Sequence, residues 1–308
     1  MSKAISWLKE LRAPFLTATI VPIVLGSIMG WHQTGEFNWP WFWLALLGGV
    51  FMHLGTNIAN DYYDHTSKDD WVNKTPTPFS GGSRMIQEGL IPAWQVLAAA
   101  LLFFILGSAI GLYLNYRLAG NIILYLGIAG VLLGFFYTAS PIRIGYRGFG
   151  IGELAVAIGF GPLMVLGAYY VQTQTLSWQV LFASIPVGIL IGLVLYINEF
   201  PDYEADKTVG KITLPIMLGK KAASRLYPVL VGLNYLLVFT GIILEVFPLW
   251  VLLILLTLPV ALKAVRTTLV HFDKVKELLP ANASTILLHF SFGLLLSIGF
   301  IVDKLVGG

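Results

Sequence analysis

Cysteine is absent from the 308 residues. That excludes disulfides, iron–sulfur clusters and thiolate chemistry. Charge is the second scarcity: 11% of the residues are Asp, Glu, Lys or Arg, where a soluble domain carries about 25%. With 57% apolar residues and a mean hydropathy of +0.79, the chain is excluded from the water-soluble class and reads as an integral membrane protein. The alternating segments of about ten residues that mark a transmembrane β-barrel are also missing. Continuous apolar runs are there instead, near residues 13–31, 39–59, 93–114, 119–138, 151–171, 178–198, 226–244, 247–262 and 282–302. Crossing a hydrocarbon core of ~30 Å takes about 20 residues, so the fold class is all-α and polytopic, with about nine transmembrane helices. Lys3, Lys9, Glu10 and Arg12 precede the first run without a small-residue cleavage site, so the start reads as part of the fold and not as a leader.

The few charges are unevenly placed. With nine spans, the N-terminal tail and the loops after the second, fourth, sixth and eighth share one face. They hold 17 of the 19 Lys and Arg, leaving Arg117 and Lys304 for the other side. This bias predicts a cytoplasmic N-terminus, and Trp39, Trp41 and Trp43 fit an aromatic belt opposite. No nucleic-acid or protein partner is expected.

Acidic residues show a second asymmetry. Four lie in NDYYDHTSKDD (Asp61, Asp64, Asp69, Asp70) and four in NEFPDYEADK (Glu199, Asp202, Glu204, Asp206). Each cluster follows an even-numbered span, and each opens with Asn and an acid: Asn60-Asp61 and Asn198-Glu199. Asn60 and Asp64 are four residues apart, as are Asn198, Asp202 and Asp206, so each set shares one helix face. Pro201, inside the second motif, is placed to break or kink its helix at the interface. The two Asn lie 138 residues apart, a spacing that suggests a weak duplication, about 13–138 and 151–262, with a ninth helix added inside a single domain of residues 1–308.

Two facing carboxylate stripes repel each other unless neutralised. A hard divalent cation resolves this, since Mg²⁺ takes carboxylate oxygens, waters and substrate phosphates. His53, His65 and His289 show no ligand spacing for a softer metal. The same loops bring Lys68, Lys74, Arg84, Arg143, Arg147, Lys207 and Lys211. Metal-bridging carboxylates beside several cations point to a diphosphate head, and the surrounding Phe, Leu, Ile and Tyr suit a polyisoprenoid tail.

The opening LRAPFLTATIVPIVLG, NDYYD, YTASPIRIGYRGFGIGE and NEFPDYEADKTVGKITLPIMLG together resemble the UbiA superfamily of intramembrane prenyltransferases. The likeness covers nearly the whole chain. An Asn opening the second motif, and a stretched first motif followed by FSGGSRMIQEGL, look most like the 1,4-dihydroxy-2-naphthoate prenyltransferases of the MenA type. The resemblance implies a bundle with a central cavity open laterally to lipid. Its substrates would be a polyprenyl diphosphate and a small aromatic acceptor, joined en route to menaquinone. It implies two Mg²⁺ held by Asn60, Asp64, Asn198, Asp202 and Asp206, with Asp61 beside them. The last position of the first motif falls on Lys68, with Asp69 one residue late, so either Asp69 or Asp70 is the remaining ligand.

For the other groups, Arg84, Lys207 and Lys211 are assigned as diphosphate clamps, with Lys68 nearby. Arg143 and Arg147 flank Tyr146 in a glycine-rich loop read as a lid. Tyr62 and Tyr137 offer π faces to a carbocation. Glu153 is either an acceptor-side base or a charge at a helix N-terminus, and Arg12 either faces the acceptor pocket or snorkels. The rival reading is an ion-coupled transporter, whose charges would lie near the membrane midplane; within the enzymes, 4-hydroxybenzoate, homogentisate, haem, a chlorophyllide or a glycerol lipid are the other acceptors.

Overall fold

The computed structural model describes residues 3–307, and among them no strand forms beyond a single bridge between Arg147 and Ile212. Helix α1 (Lys3–Glu10) ends where Arg12 turns left-handed, φ 49°, and a 3₁₀ turn (Ala13–Leu16) leads into α2 (Thr17–Thr34). Asn38 starts α3 (Trp39–Ser67) by accepting the Trp41 N–H at 3.1 Å, a normal N-cap role for Asn. A short α4 (Asp69–Val72) follows, then α5 (Ala93–Arg117) and α6 (Ile122–Phe135). The next crossing joins α7 (Ile151–Ile158) to α8 (Met164–Thr173) through a π turn, Gly159–Leu163. After it come α9 (Trp178–Thr208), the short α10 (Leu214–Leu218) and α11 (Lys220–Ile243). A 3₁₀ segment (Leu249–Thr257) feeds α12 (Leu258–His271), and α13 (Val275–Gly307) closes the bundle.

Among the described residues, eight helical stretches are long and apolar enough to cross a membrane. The ninth expected span, near 119–138, is the 14-residue α6, about 21 Å long at 1.5 Å per residue. Just beyond its end the Phe136 and Tyr137 carbonyls accept N–H groups from Ile144 and Gly145, both at 2.9 Å, and Pro141 has no N–H with which to continue the helix from Tyr137. The chain there is committed to a loop that returns to the site.

Helix α9 runs through the middle, packed by α7, α11 and α13, while α3 pairs with α5 and α2 with α8 and α13. Water does not drive helices together inside lipid; close packing and interhelical hydrogen bonds do. Gly161 meets Gly188 where α9 is crossed: a Cβ on Gly161 would lie 2.7 Å from the Gly188 Cα, so only glycine fits. Tyr227 and Thr285 share a buried hydrogen bond at 2.6 Å, as do Tyr235 and Thr257, each worth roughly 0.6 kcal/mol in such a setting.

Proline 201 does not end α9, which continues to Thr208. A mid-helix proline frees the carbonyl four residues earlier, here Ile197. Asn282 Nδ2, from α13, donates to that carbonyl at 3.1 Å. A neighbouring helix has re-satisfied the orphan group, as bilayer-embedded prolines require.

Candidate active site

A cavity of about 640 Å³ runs between α2, α3, α5, α6, α9 and the α7–α8 crossing. Most of its wall is apolar, with Met52, Leu124, Phe160 and Leu195 among the lining residues; Arg12, Asn60, Tyr137 and Asn198 mark its polar side. Asn60 and Asn198 are thus the members of the two stripes that line the cavity.

Both amides are held by side chains from elsewhere in the chain. Thr138 Oγ1 donates to Asn60 Oδ1 at 2.8 Å, and Asn282 Nδ2 donates to Asn198 Oδ1 at 2.8 Å. Each oxygen keeps a second lone pair and each amide its Nδ2 for a ligand. The carboxylates on the next turn are held likewise. Tyr146 donates its phenol to Asp64 Oδ1 at 2.9 Å, and Asn73 Nδ2 donates to Asp202 Oδ1 at 2.8 Å.

The third level of the site shows why the first motif is out of step. α3 ends at Lys68, whose left-handed backbone (φ 68°) breaks the i+4 rhythm and starts α4 at Asp69. That joint puts Lys68 itself on the surface and buries Asp69. Lys211 Nζ then bridges the two motifs, 3.3 Å from Asp69 Oδ2 and 3.2 Å from Asp206 Oδ1. Burial alone would lower the Lys211 pKa, but Asp206, Asp69 and Asp64 outweigh it and hold the ammonium well above its usual value. Burial and then Asp64 push the Tyr146 phenol up, so it remains a donor.

Several expected residues lie beside this core without joining it. Asp61 is buried, accepting the Ser83 N–H at 2.9 Å with Arg12 Nη1 at 3.7 Å. Arg12 also faces the cavity and reaches the Phe79 carbonyl. Arg84 donates to the Asp70 backbone carbonyl, and the Asp70 carboxylate fills the turn at Gly82, where a Cβ would sit 2.4 Å from it. Burial, followed by the charges of Asp64 and Asp61, raises the Asp70 carboxyl to about 9. Arg143 stacks on the Tyr146 ring at 3.9 Å, while Arg147 is exposed and donates to the carbonyls of Ile142 and Pro141 in its own loop. Lys207 is exposed. Tyr62 packs edge-on against Tyr63, 5.2 Å between centroids. Tyr137 lines the cavity. Glu153 accepts the Leu214 N–H at 2.9 Å, at the N-terminus of α10.

Asn73, Thr138 and Asn282 were not legible as site residues. Each lies 78 to 129 residues from its partner in sequence, and a lone Asn or Thr carries no motif. The one available signal was Asn282 itself, an amide at the start of an apolar run, where polar groups tend to be functional.

Residues 19–294 match the sequence pattern of the UbiA prenyltransferase family. The chain belongs to the UbiA prenyltransferase family. Similar proteins include a Synechocystis sp. 2-carboxy-1,4-naphthoquinone phytyltransferase, 29% identical over 96% of this chain and 92% of that one. A Bacillus subtilis 1,4-dihydroxy-2-naphthoate octaprenyltransferase is also 29% identical, over 95% of this chain and 91% of its own. Among solved structures, a UbiA homolog from Archaeoglobus fulgidus bound to GPP and Mg²⁺ has a TM-score of 0.61 at 16% identity, covering 95% of this chain and 99% of that one. The all-α bundle is therefore the UbiA fold, and this UbiA chain is an integral membrane prenyltransferase.

The donors present fit a hard cation. Asp64, Asp69, Asp202 and Asp206 offer carboxylate oxygens at the two helix ends; Asp69 and Asp206 meet the Lys211 ammonium, and Asp206 Oδ2 has no hydrogen-bond partner. Among the described residues no three acids or histidines already converge on one point. That suits Mg²⁺, which is commonly held by one or two carboxylates plus substrate phosphates and not by an all-protein cage.

Proposed function

We propose that this enzyme transfers a polyprenyl group from an allylic polyprenyl diphosphate to 1,4-dihydroxy-2-naphthoate, the reaction that serves menaquinone synthesis. One observation carries it: an apolar cavity whose polar side, Asn60 and Asn198, leads directly to two carboxylate-bearing helix ends and a lysine. The tail lies in the cavity and the diphosphate at the helix ends. The two full-length relatives named for naphthoate or naphthoquinone substrates support this acceptor class.

Asn60, Asp64 and Asp69 from one side, with Asn198, Asp202 and Asp206 from the other, would hold two Mg²⁺ against the diphosphate. When bound, the metal supplies Lewis-acid stabilisation of the departing diphosphate, worth several kcal/mol. The residues of the chain do the rest. Tyr146 and Asn73 fix the carboxylates of Asp64 and Asp202, so they need little reorganisation as charge develops. Lys211 offers its cation to the leaving group. As the C–O bond breaks, its electron pair stays on the diphosphate and the allylic cation remains in a cavity that excludes water, beside the Tyr137 ring. A ring carbon of the acceptor closes the new C–C bond, and loss of its carboxyl group as CO₂ and a proton restores aromaticity. The basic bias of the loops supports a cytoplasmic N-terminus and site.

Purified protein, Mg²⁺ and a radiolabelled polyprenyl diphosphate, offered a panel of acceptors, test this. Lipid-extractable label is expected with dihydroxynaphthoate. Product from 4-hydroxybenzoate or homogentisate alone would overturn the acceptor, and no diphosphate release with any acceptor would overturn the enzyme reading.

A further inference from the structure

The cations at this face are distributed in a telling way. Arg12 pairs with Asp61, Arg84 with the Asp70 backbone, Arg143 with the Tyr146 ring and Arg147 with its own loop. Lys68 and Lys207 are exposed. Lys211 differs from them all, because its ammonium sits inside the carboxylate group and touches one acid from each motif, at 3.3 and 3.2 Å. Its backbone is pinned there: the Lys211 N–H donates to the Asp206 carbonyl at 2.9 Å, and the Ile212 N–H reaches the Tyr146 carbonyl at 3.4 Å. The side chain crosses the Tyr146 ring with Nζ 5.6 Å from its centroid.

The geometry points to Lys211 as a resident counter-ion that competes with a divalent cation for Asp69 and Asp206 and yields only when a diphosphate arrives, an inference that rests on the metal–diphosphate reading above. The ammonium and the metal need the same oxygens, Asp69 Oδ2 and Asp206 Oδ1. With Lys211 in place the two acids are neutralised without a metal, and a free divalent ion has to displace a positive charge to enter. A diphosphate changes the balance. Its oxygens give the ammonium a new partner, which a lysine takes as a point charge, and they complete the coordination of the incoming ion. The four-carbon stem lets the ammonium swing while the pinned backbone stays still. Metal and diphosphate therefore bind cooperatively, and by linkage each strengthens the other equally. Lys211 is a positioning residue in this role: it sets the order of binding as well as clamping the leaving group.

Mn²⁺ titration followed by electron paramagnetic resonance, on the full chain in detergent, tests this with and without inorganic pyrophosphate. Replacing the charge in Lys211→Met is expected to tighten Mn²⁺ alone on the order of tenfold, within the usual range of site coupling. The same variant should lose most of the enhancement that pyrophosphate gives wild type, and Lys211→Arg should behave like wild type. Unchanged or weaker Mn²⁺ binding by Lys211→Met would overturn the inference. Should Lys211→Met melt early in metal-free buffer, millimolar Mn²⁺ is expected to restore its melting temperature, because the ion takes the ammonium's place; instability that Mn²⁺ leaves untouched also overturns it. If wild type with pyrophosphate retains no Mn²⁺ at all, the metal–diphosphate reading itself fails, a result distinct from a normal wild type beside an unaltered variant.

Discussion

Helix α9 carries Asn198, Asp202 and Asp206 to the site on one uninterrupted face, whereas α3 carries Asn60 and Asp64 and then breaks at Lys68 before α4 supplies Asp69. The unbroken stripe contains a proline and the broken one does not, the reverse of what local propensity dictates. Tertiary partners account for both. Asn282 occupies the carbonyl that Pro201 frees, so α9 survives. On the other side, Asp70 is drawn into the turn at Gly82, with Gln87 Nε2 donating to it at 3.1 Å, and that pull ends α3 in favour of a new helical turn.

If the two ends act as equal halves of one metal–diphosphate clamp, Asp64→Ala and Asp202→Ala should each lower turnover by about 10³-fold or more, as loss of several kcal/mol of transition-state stabilisation requires. Melting temperatures should stay near wild type. A large loss in one variant only, measured by product formation from purified protein, would break the symmetry.

Asn282→Ala should separate the two ends differently. It strips both the Asn198 amide and the Ile197 carbonyl of a donor, and a buried orphan carbonyl costs about 1–3 kcal/mol. Activity and melting temperature should fall together, whereas Asn73→Ala, which unhooks only Asp202 and the adjacent turn, should lower activity more than stability. Equal destabilisation by both would count against the repair of Pro201.

A smaller effect is expected from Tyr146→Phe, which removes the phenol donated to Asp64. A net hydrogen bond to a charged group is worth about 1.5–3 kcal/mol, so kcat/KM should drop on the order of tenfold or more while prenyl-acceptor preference holds. At the low end, Lys68→Gly should keep activity within about twofold and leave stability level or slightly raised, because glycine adopts a positive φ without the Cβ penalty. Strong inactivation by Lys68→Gly would show that the exposed ammonium, and not the joint, matters.

The apolar runs made most helices legible, because length and composition alone set what can cross a bilayer. The i+4 stripes were legible for the same kind of reason: Asn198, Asp202 and Asp206 need only helical period to align. What escaped was non-local. That Ile144 and Gly145 return to the Phe136 and Tyr137 carbonyls beyond α6 depends on the path of the following loop. That Asp61 faces Ser83 and Arg12, and that Glu153 caps α10, depends on segments 22 to 61 residues away. Charge type was readable from the sequence; direction was not.

The left-handed joint at Lys68 also decides where the chain tolerates changes in length. One residue inserted between Asn198 and Asp206 would rotate everything beyond it by about 100° and turn Asp206 away from Asn198. One residue inserted beside Lys68 falls at a place where the helical phase is already reset, so the loop to α4 can absorb it while Asn60 and Asp64 keep their orientation. Length polymorphism in this architecture should therefore collect at the end of α3 and be purged from α9.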